Sequence, residues 1–237
     1  RRPEAVIGFV EVHIEQGPVL EQRDHALGVV TALTGIERHR MVVTGKAGHA
    51  GTTPMPGRRD ALVGAAEMVV EADRILNATD DLVGVVGKLE VRPNAVNVIP
   101  AEVNFTLELR SPHTGLREQG RREVLEACQR LAQARGLELS SERTYQAEGV
   151  DCADWLVEAL EQACRGCEEP AERMFSGAGH DGLAMHGLTD IGMLFVRCRD
   201  GLSHHPDEAI SVEDAGRATQ VLMRFLTDLG KDARSRR

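Results

Sequence analysis

The chain has 237 residues, enough for one large core or two modest ones, with the apolar and charged content of an ordinary globular protein. Lys and Arg number 28 against 37 Asp and Glu, a formal net charge of −9; without a basic cluster, this argues against nucleic acid or another polyanion as partner. No apolar run approaches the roughly 18 residues of a membrane span.

Five cysteines, at 128, 152, 164, 167 and 198, are odd in number and follow no regular framework, which fits reduced thiols in cytoplasm better than secreted disulfides. The single "CRGC" at 164–167 reads as packing, because structural zinc normally needs four ligands. Position 1 is not Met, no signal-peptide pattern follows, and a strand begins within the first residues, so the sequence reads as an excerpt from a longer protein.

That first strand lies in "GFVEVHIEQGPVLE" (8–21). Period-two alternation turns Val10, Val12 and Ile14 one way and Glu11, His13 and Glu15 the other. Such a polar face is either solvated or part of a metal or acid/base site. From residue 36 a strand is followed by a Gly- and Pro-rich loop and a predicted helix over 58–77. A strand over 82–92, an alternating strand over 101–110, an amphipathic helix ending at Gly136 and a strand over 137–146 complete a β-α-β-β-α-β order. This split βαβ unit predicts four antiparallel strands with two helices on one face. Residues 148–237 add a helix, short strands near Phe175 and over 191–196, and a long C-terminal helix whose "SVED" start is a capping box with Ser211 at N-cap and Asp214 at N3. Three flanking strands make a poor core by themselves, so the small domain reads as an insertion in a larger, incomplete α/β domain. The division expected is 1–33 and 148–237 against 34–147, with a solvated "KDARSRR" tail.

Four further stretches combine glycine with reactive side chains. "GKAGHAGTTPMPG" surrounds His49 with Gly48 and Gly51, suiting backbone approach to a ligand and donation to developing negative charge. "RPNAVNVIPAEVNFTLELR" puts Asn97 in a loop and Arg110 at a strand end, an amide and a guanidinium suited to a carboxylate. "MFSGAGHDG" is a strand and Gly-rich turn leading into a helix near His180 and Asp181, a geometry that presents backbone N–H groups. "GLSHHPDE" sets two histidines, His204 and His205, in a loop.

Taken in this order, "EVHIEQGPVLE", "GHAGTTPM", "RPNAVNVIP", "SGAGHD" and "GLSHHPDE" resemble the metal-dependent amidohydrolases that include N-carbamoyl-L-amino acid hydrolase, allantoate amidohydrolase and β-ureidopropionase, within the dimetal aminoacylase and exopeptidase superfamily. The likeness runs from about residue 8 to 229. It implies an α/β metallo-exopeptidase-like catalytic domain carrying an inserted ferredoxin-like lid and dimerisation domain. It further implies that His13 and His204 bind metal, that Gln16, Asn97, Arg110, Gly179 and His180 contact the substrate, and that His49 stabilises the tetrahedral oxyanion in the active site of a partner subunit. The implied cofactors are two divalent ions (zinc, manganese, cobalt or nickel). The implied substrates are small carbamoyl or ureido compounds, cleaved by metal-activated water, and the implied assembly is a homodimer. The family's upstream His, bridging Asp and paired Glu find no match in this chain. The resemblance therefore implies an active parent enzyme and a 237-residue chain that is inactive alone and holds no tightly bound metal. An aminoacylase or dipeptidase of the same superfamily, and a non-catalytic dimerisation fragment, are the alternatives.

Overall fold

The computed structural model describes residues 6–235, with side chains described through Gly230. The elements run β1 (Phe9–Ile14), the single turn α1 (Val19–Gln22), β2 (Leu27–Leu33), β3 (Gly35–Thr44), β4 (Gly48–His49) and α2 (Ala61–Asn77). Next come β5 (Val83–Val85), β6 (Leu89–Arg92), β7 (Val98–Ile99), β8 (Glu102–Ser111), α3 (Thr114–Ala134) and β9 (Glu138–Ala147). The last are β10 (Val150–Asp151), α4 (Asp154–Gly166), β11 (Glu172–Ser176), α5 (Gly182–Met185), β12 (Ile191–Val196) and α6 (Val212–Ser235). The fold is mixed α/β, in two compact units: the chain up to Thr34 with Val150 onward, and Gly35–Gly149.

The first unit is built on a mixed five-stranded sheet in the order β1-β12-β2-β10, with β11 also pairing β2. β1 runs parallel to β12, β12 antiparallel to β2, and β11 parallel to β2. The central strand, "LGVVTAL", is not among the strands expected from the sequence. Six of its seven residues are buried, so it shows no alternation, and without a period a short apolar run does not declare itself a strand. Once β2 is in place the core ceases to be poor: Leu27, Val29, Val30, Leu194 and Phe195 meet Leu156 and Leu160 of α4 and Val221 and Phe225 of α6.

The capping box forms by half. Ser211 Oγ accepts the Asp214 amide at 2.9 Å, as expected. The Asp214 carboxylate, however, is buried and takes Arg197 Nη2 at 3.0 Å and Nε at 3.2 Å, because a charge-assisted fork outcompetes a return bond to the N-cap amide. The helix runs beyond the expected end at 229, to Ser235.

The second unit has the sheet order β5-β8-β3-β9, every pairing antiparallel. α2 and α3 bury Met68, Ile75, Val124 and Cys128 against Met41, Val43, Phe105, Leu107 and Leu109 on one sheet face. The strand expected over 82–92 is two short ones, β5 and β6, both paired with β8. Between them Lys88 donates its amide to Thr106 Oγ at 3.1 Å and accepts the Thr106 amide at 3.0 Å, which keeps the edge attached across the break. Near Gly35 the core turns polar. Glu37 is 2% exposed beside His39, Arg121 and Arg143, its charge shared rather than hydrated.

α2 starts at residue 61 rather than 58 because Asp60 caps it, one carboxylate oxygen accepting Leu62 N at 2.9 Å and Val63 N at 3.2 Å. Asp60→Ala should lower stability by about 1 kcal/mol and Asp60→Asn by much less, read as urea midpoints of the 237-residue chain.

Candidate metal centre and substrate-binding elements

β1 carries Glu11 and His13 two residues apart, so both side chains leave the strand on one face. Its parallel register sets His13 opposite Phe195 and Glu11 opposite Met193. His13 Nδ1 lies 2.8 Å from the Ile14 carbonyl, which only accepts, so Nδ1 carries the proton and Nε2 offers a lone pair. Against this ring stands His180, edge to face, with centroids 4.6 Å apart. The His180 side chain is 1% exposed, and its Nδ1 is 3.8 Å from Glu11 Oε1, without a hydrogen-bond partner. Ligand atoms of Glu11, His13 and His180 lie within 4.8 Å of one another, the one such group of three or more potential donors among the described residues. Burial, with His13 adding to it, pushes the His180 imidazole down to about 4, so it stays neutral near pH 7, the form that binds metal.

This differs from the sequence expectation in two ways. Glu11 and His180 join His13, where His180 was expected to face substrate and Glu11 had no role. Glu15, expected on the same face, lies past the end of β1 and turns away: its carboxylate accepts the Val19 amide at 2.8 Å and the Leu20 amide at 2.9 Å, at the first turn of α1. Burial raises the Glu15 carboxyl above its ordinary range against the pull of those two bonds. α5 has four residues, and its Gly182 amide donates to Glu11 Oε2 at 3.3 Å. The Glu11 carboxylate thus engages one of the backbone N–H groups that the Gly-rich turn presents. Gly179, in the same turn, has Leu183 as its nearest neighbour at 3.9 Å from an ideal Cβ, so the backbone there is open to close approach.

Two motifs distant in sequence meet at the far end of β1. Gln16, in the left-handed region at φ 59°, donates from Nε2 to Ser203 Oγ at 2.7 Å. Gly201, φ +62°, passes so near Gly17 and Pro18 that a Cβ would sit 2.7 Å from Pro18 N. "HIEQGP" and "GLSHH" are therefore one structural junction. His204 is nonetheless outside the metal-donor group: it is exposed, its backbone is left-handed at φ 57°, and its amide donates to Glu208 at 3.0 Å. Non-glycine residues held at positive φ, as Gln16 and His204 are, concentrate at functional sites.

In the second unit, β4 and β7 form a two-stranded ribbon that sets His49 opposite Val98. The Ala50 amide donates to the Asn97 carbonyl at 2.9 Å, so His49 and Asn97 share one loop cluster. The Gly51 amide donates to His49 Nδ1 at 3.1 Å, leaving the proton on Nε2 of this exposed ring. Arg110 is elsewhere. It is the penultimate residue of β8, about 27 Å from Glu102 at ordinary strand rise, while the ribbon joins the Glu102 end through Gly45 N to Ala101 O at 2.7 Å. Arg110 Nε donates to Glu108 Oε1 at 2.8 Å. Burial pushes the Glu108 carboxyl up, but hydrogen bonds from Arg38 and Arg110 together outweigh it and hold it below its ordinary value. One copy of the chain thus does not bring Asn97 and Arg110 to a single carboxylate.

Peptidase family M20/M25/M40 matches residues 1–228. The chain belongs to that family. This M20 chain is 38% identical over 216 residues to an N-carbamoyl-L-amino-acid amidohydrolase of Pseudomonas sp. (strain NS671), covering 90% of the chain and 52% of that protein. It is 37% identical to an allantoate deiminase of Arabidopsis thaliana, covering 94% of the chain and 48% of that protein. Among solved structures, an amidase of the hydantoinase/carbamoylase family from Burkholderia multivorans superposes with a TM-score of 0.89 at 35% identity, over 93% of this chain and 54% of that one. The M20 chain thus spans about half the length of the curated relatives it matches. No helix of the described residues is long and apolar enough to cross a membrane.

Glu15 separates scaffold from centre in the M20 chain. Glu15→Ala leaves two amides without their acceptor and should cost about 1–3 kcal/mol by denaturant unfolding, with cation binding unchanged by equilibrium dialysis.

Proposed function

We propose that this M20 chain serves a dimetal amidohydrolase that cleaves the C–N bond of N-carbamoyl-L-amino acids or related ureido compounds such as allantoate. The observation that carries this reading is the Glu11–His13–His180 group, half-buried on β1 and beside α5 in a chain similar to amidohydrolases of these substrates. A divalent ion (zinc, manganese, cobalt or nickel) fits the group: one carboxylate, one imidazole already oriented through Nδ1, and a second whose Nδ1 is buried without a partner. When bound, such an ion polarises a carbonyl oxygen and acidifies water. Three donors fall short of what two catalytic ions require, and His204, in its exposed loop, is the further ligand that the resemblance implies. The 237-residue chain is therefore expected to bind cations weakly and to be inactive alone.

The second unit supplies the substrate-handling groups in this reading, as a ferredoxin-like lid and dimerisation domain. His49 Nε2–H is the donor to the oxyanion, and Arg110, held by Glu108, takes the substrate carboxylate. A small substrate does not span β8, so His49 and Asn97 from one copy would serve a centre completed by Arg110 of another, which supports a homodimer. Gln16 and the backbone at Gly179 line the substrate site on the first unit. Five free cysteines accord with a cytoplasmic setting.

The test is ammonia release from N-carbamoyl-L-amino acids, allantoate and ureidopropionate by the enzyme that contains this chain, with manganese or zinc supplied. His49→Ala should lower kcat on the order of 100-fold. Arg110→Ala should mainly raise KM. Hydrolysis of N-acyl amino acids or dipeptides in place of all three substrates would move the assignment to an aminoacylase or dipeptidase.

Metal binding has its own check. Glu11→Gln, His13→Ala and His180→Ala should each weaken cobalt(II) binding at least tenfold, whereas His205→Ala should leave it unchanged. Equal affinity across all four would remove the group from the centre.

A further inference from the structure

The loop that carries His49 is short of backbone donors. Between His49 and the start of α2 the chain reads "HAGTTPMPGRRD", in which Pro54 and Pro56 bring carbonyls without amides. The loop nevertheless folds tightly. The Thr53 amide donates to the His49 carbonyl at 3.1 Å, and a Cβ at Gly48 would sit 2.8 Å from Thr53 Oγ1, so the chain returns over its own entry.

Arg58 supplies the missing donors. Its Nη2 donates to the Ala50 carbonyl at 2.6 Å and to the Thr53 carbonyl at 2.7 Å. Nε donates to the Thr53 carbonyl as well, at 3.2 Å. One planar guanidinium thus ties the residue that follows His49 to the far limb of the loop. Because a guanidinium keeps its charge throughout the working pH range of an enzyme, the tie does not titrate. A role for Arg58 in receiving a substrate carboxylate is the weaker reading, since its Nε and Nη2 are engaged by backbone of its own loop.

His49 depends on this tie through neighbouring bonds. Ala50 is fixed on both sides, its amide on the Asn97 carbonyl at 2.9 Å and its carbonyl on Arg58. Gly51, between the two tied carbonyls, donates its amide to His49 Nδ1 at 3.1 Å, and that bond sets where Nε2–H points.

We infer that Arg58 is a positioning residue for His49: its guanidinium bridges the Ala50 and Thr53 carbonyls and so fixes the direction of Nε2–H. The inference rests on the reading of His49 as donor to the oxyanion and adds the group that holds it. Lysine in the same place would keep the charge but lose the planar fork that two carbonyls require.

The loop is tested first in the 237-residue chain, by backbone ¹⁵N order parameters. Those of Gly51 and Thr53 should be about 0.85 in the wild type and fall below about 0.6 in Arg58→Met and Arg58→Lys, with melting curves unchanged. Rigid amides in both variants would overturn the inference without any assay. The catalytic arm uses the enzyme that contains this chain. Arg58→Met should lower kcat roughly 10- to 100-fold, and Arg58→Lys should not restore it. In a His49→Ala background the same change should cost nothing further, because the ring it positions is gone. Losses that multiply would overturn the positioning role while leaving His49 its own. A His49→Ala variant as active as the wild type would sink the oxyanion reading, and this inference with it.

Discussion

The candidate centre depends on the parallel pairing of β1 with β12. Among the described residues, β1 lies at the end of its sheet path and pairs with one neighbour, yet it carries two of the three donors. Registered against Met193 and Phe195, Glu11 and His13 reach the place where the chain returns from β11 through the Gly-rich turn to His180. A one-residue slip would send both side chains to the other face. What opposes that slip is burial, since β12 is buried at every position and continues its ladder into β2.

Much of this was legible because it repeats. Wherever a strand or helix has one wet face, alternation or helical spacing exposes it, and β3, α2, β8, α3, β9 and α4 stand close to their expected places. β2 was illegible for the opposite reason: a strand buried on both faces has no polar phase to read. The break between β5 and β6 was also invisible, since it is defined by what Lys88 and Thr106 do across the sheet.

Site residues were legible as chemical types and less so as partners. The histidine of "HIEQGP" was assigned to metal, but period two equally placed Glu15 on its face, and only the end of β1 at Ile14 takes Glu15 out to the amides of α1. Glu11 and His180, 169 positions apart, offered no local signal of their meeting. The Gly-rich turn was read as presenting backbone N–H groups, and one of them, Gly182 N, has its acceptor in Glu11 of the same chain. Asp214 shows the same limit: a capping motif states which bonds are available, and Arg197, brought by tertiary packing, decides which are made.

Three histidines then show how one side chain acquires different tasks from a single backbone or hydroxyl partner. At His13 a carbonyl acceptor fixes the proton on Nδ1 and frees the Nε2 lone pair, the arrangement of a ligand. At His49 an amide donor occupies Nδ1 and leaves Nε2–H, the arrangement of a donor to negative charge. At His180 the partner is a hydroxyl, which donates or accepts, so the ring is not committed by that contact alone. The Ala178 amide narrows the choice by taking one lone pair of that Ser176 oxygen, while buried Nδ1 has no hydrogen-bond partner. With its proton on Nε2, His180 faces the Glu11 carboxylate at 3.8 Å with a lone pair, and that repulsion is relieved by a cation or by a proton on either group. Glu11, His13 and His180 thus present the donor types of a possible metal-binding group and do not close a hydrogen-bond network among themselves.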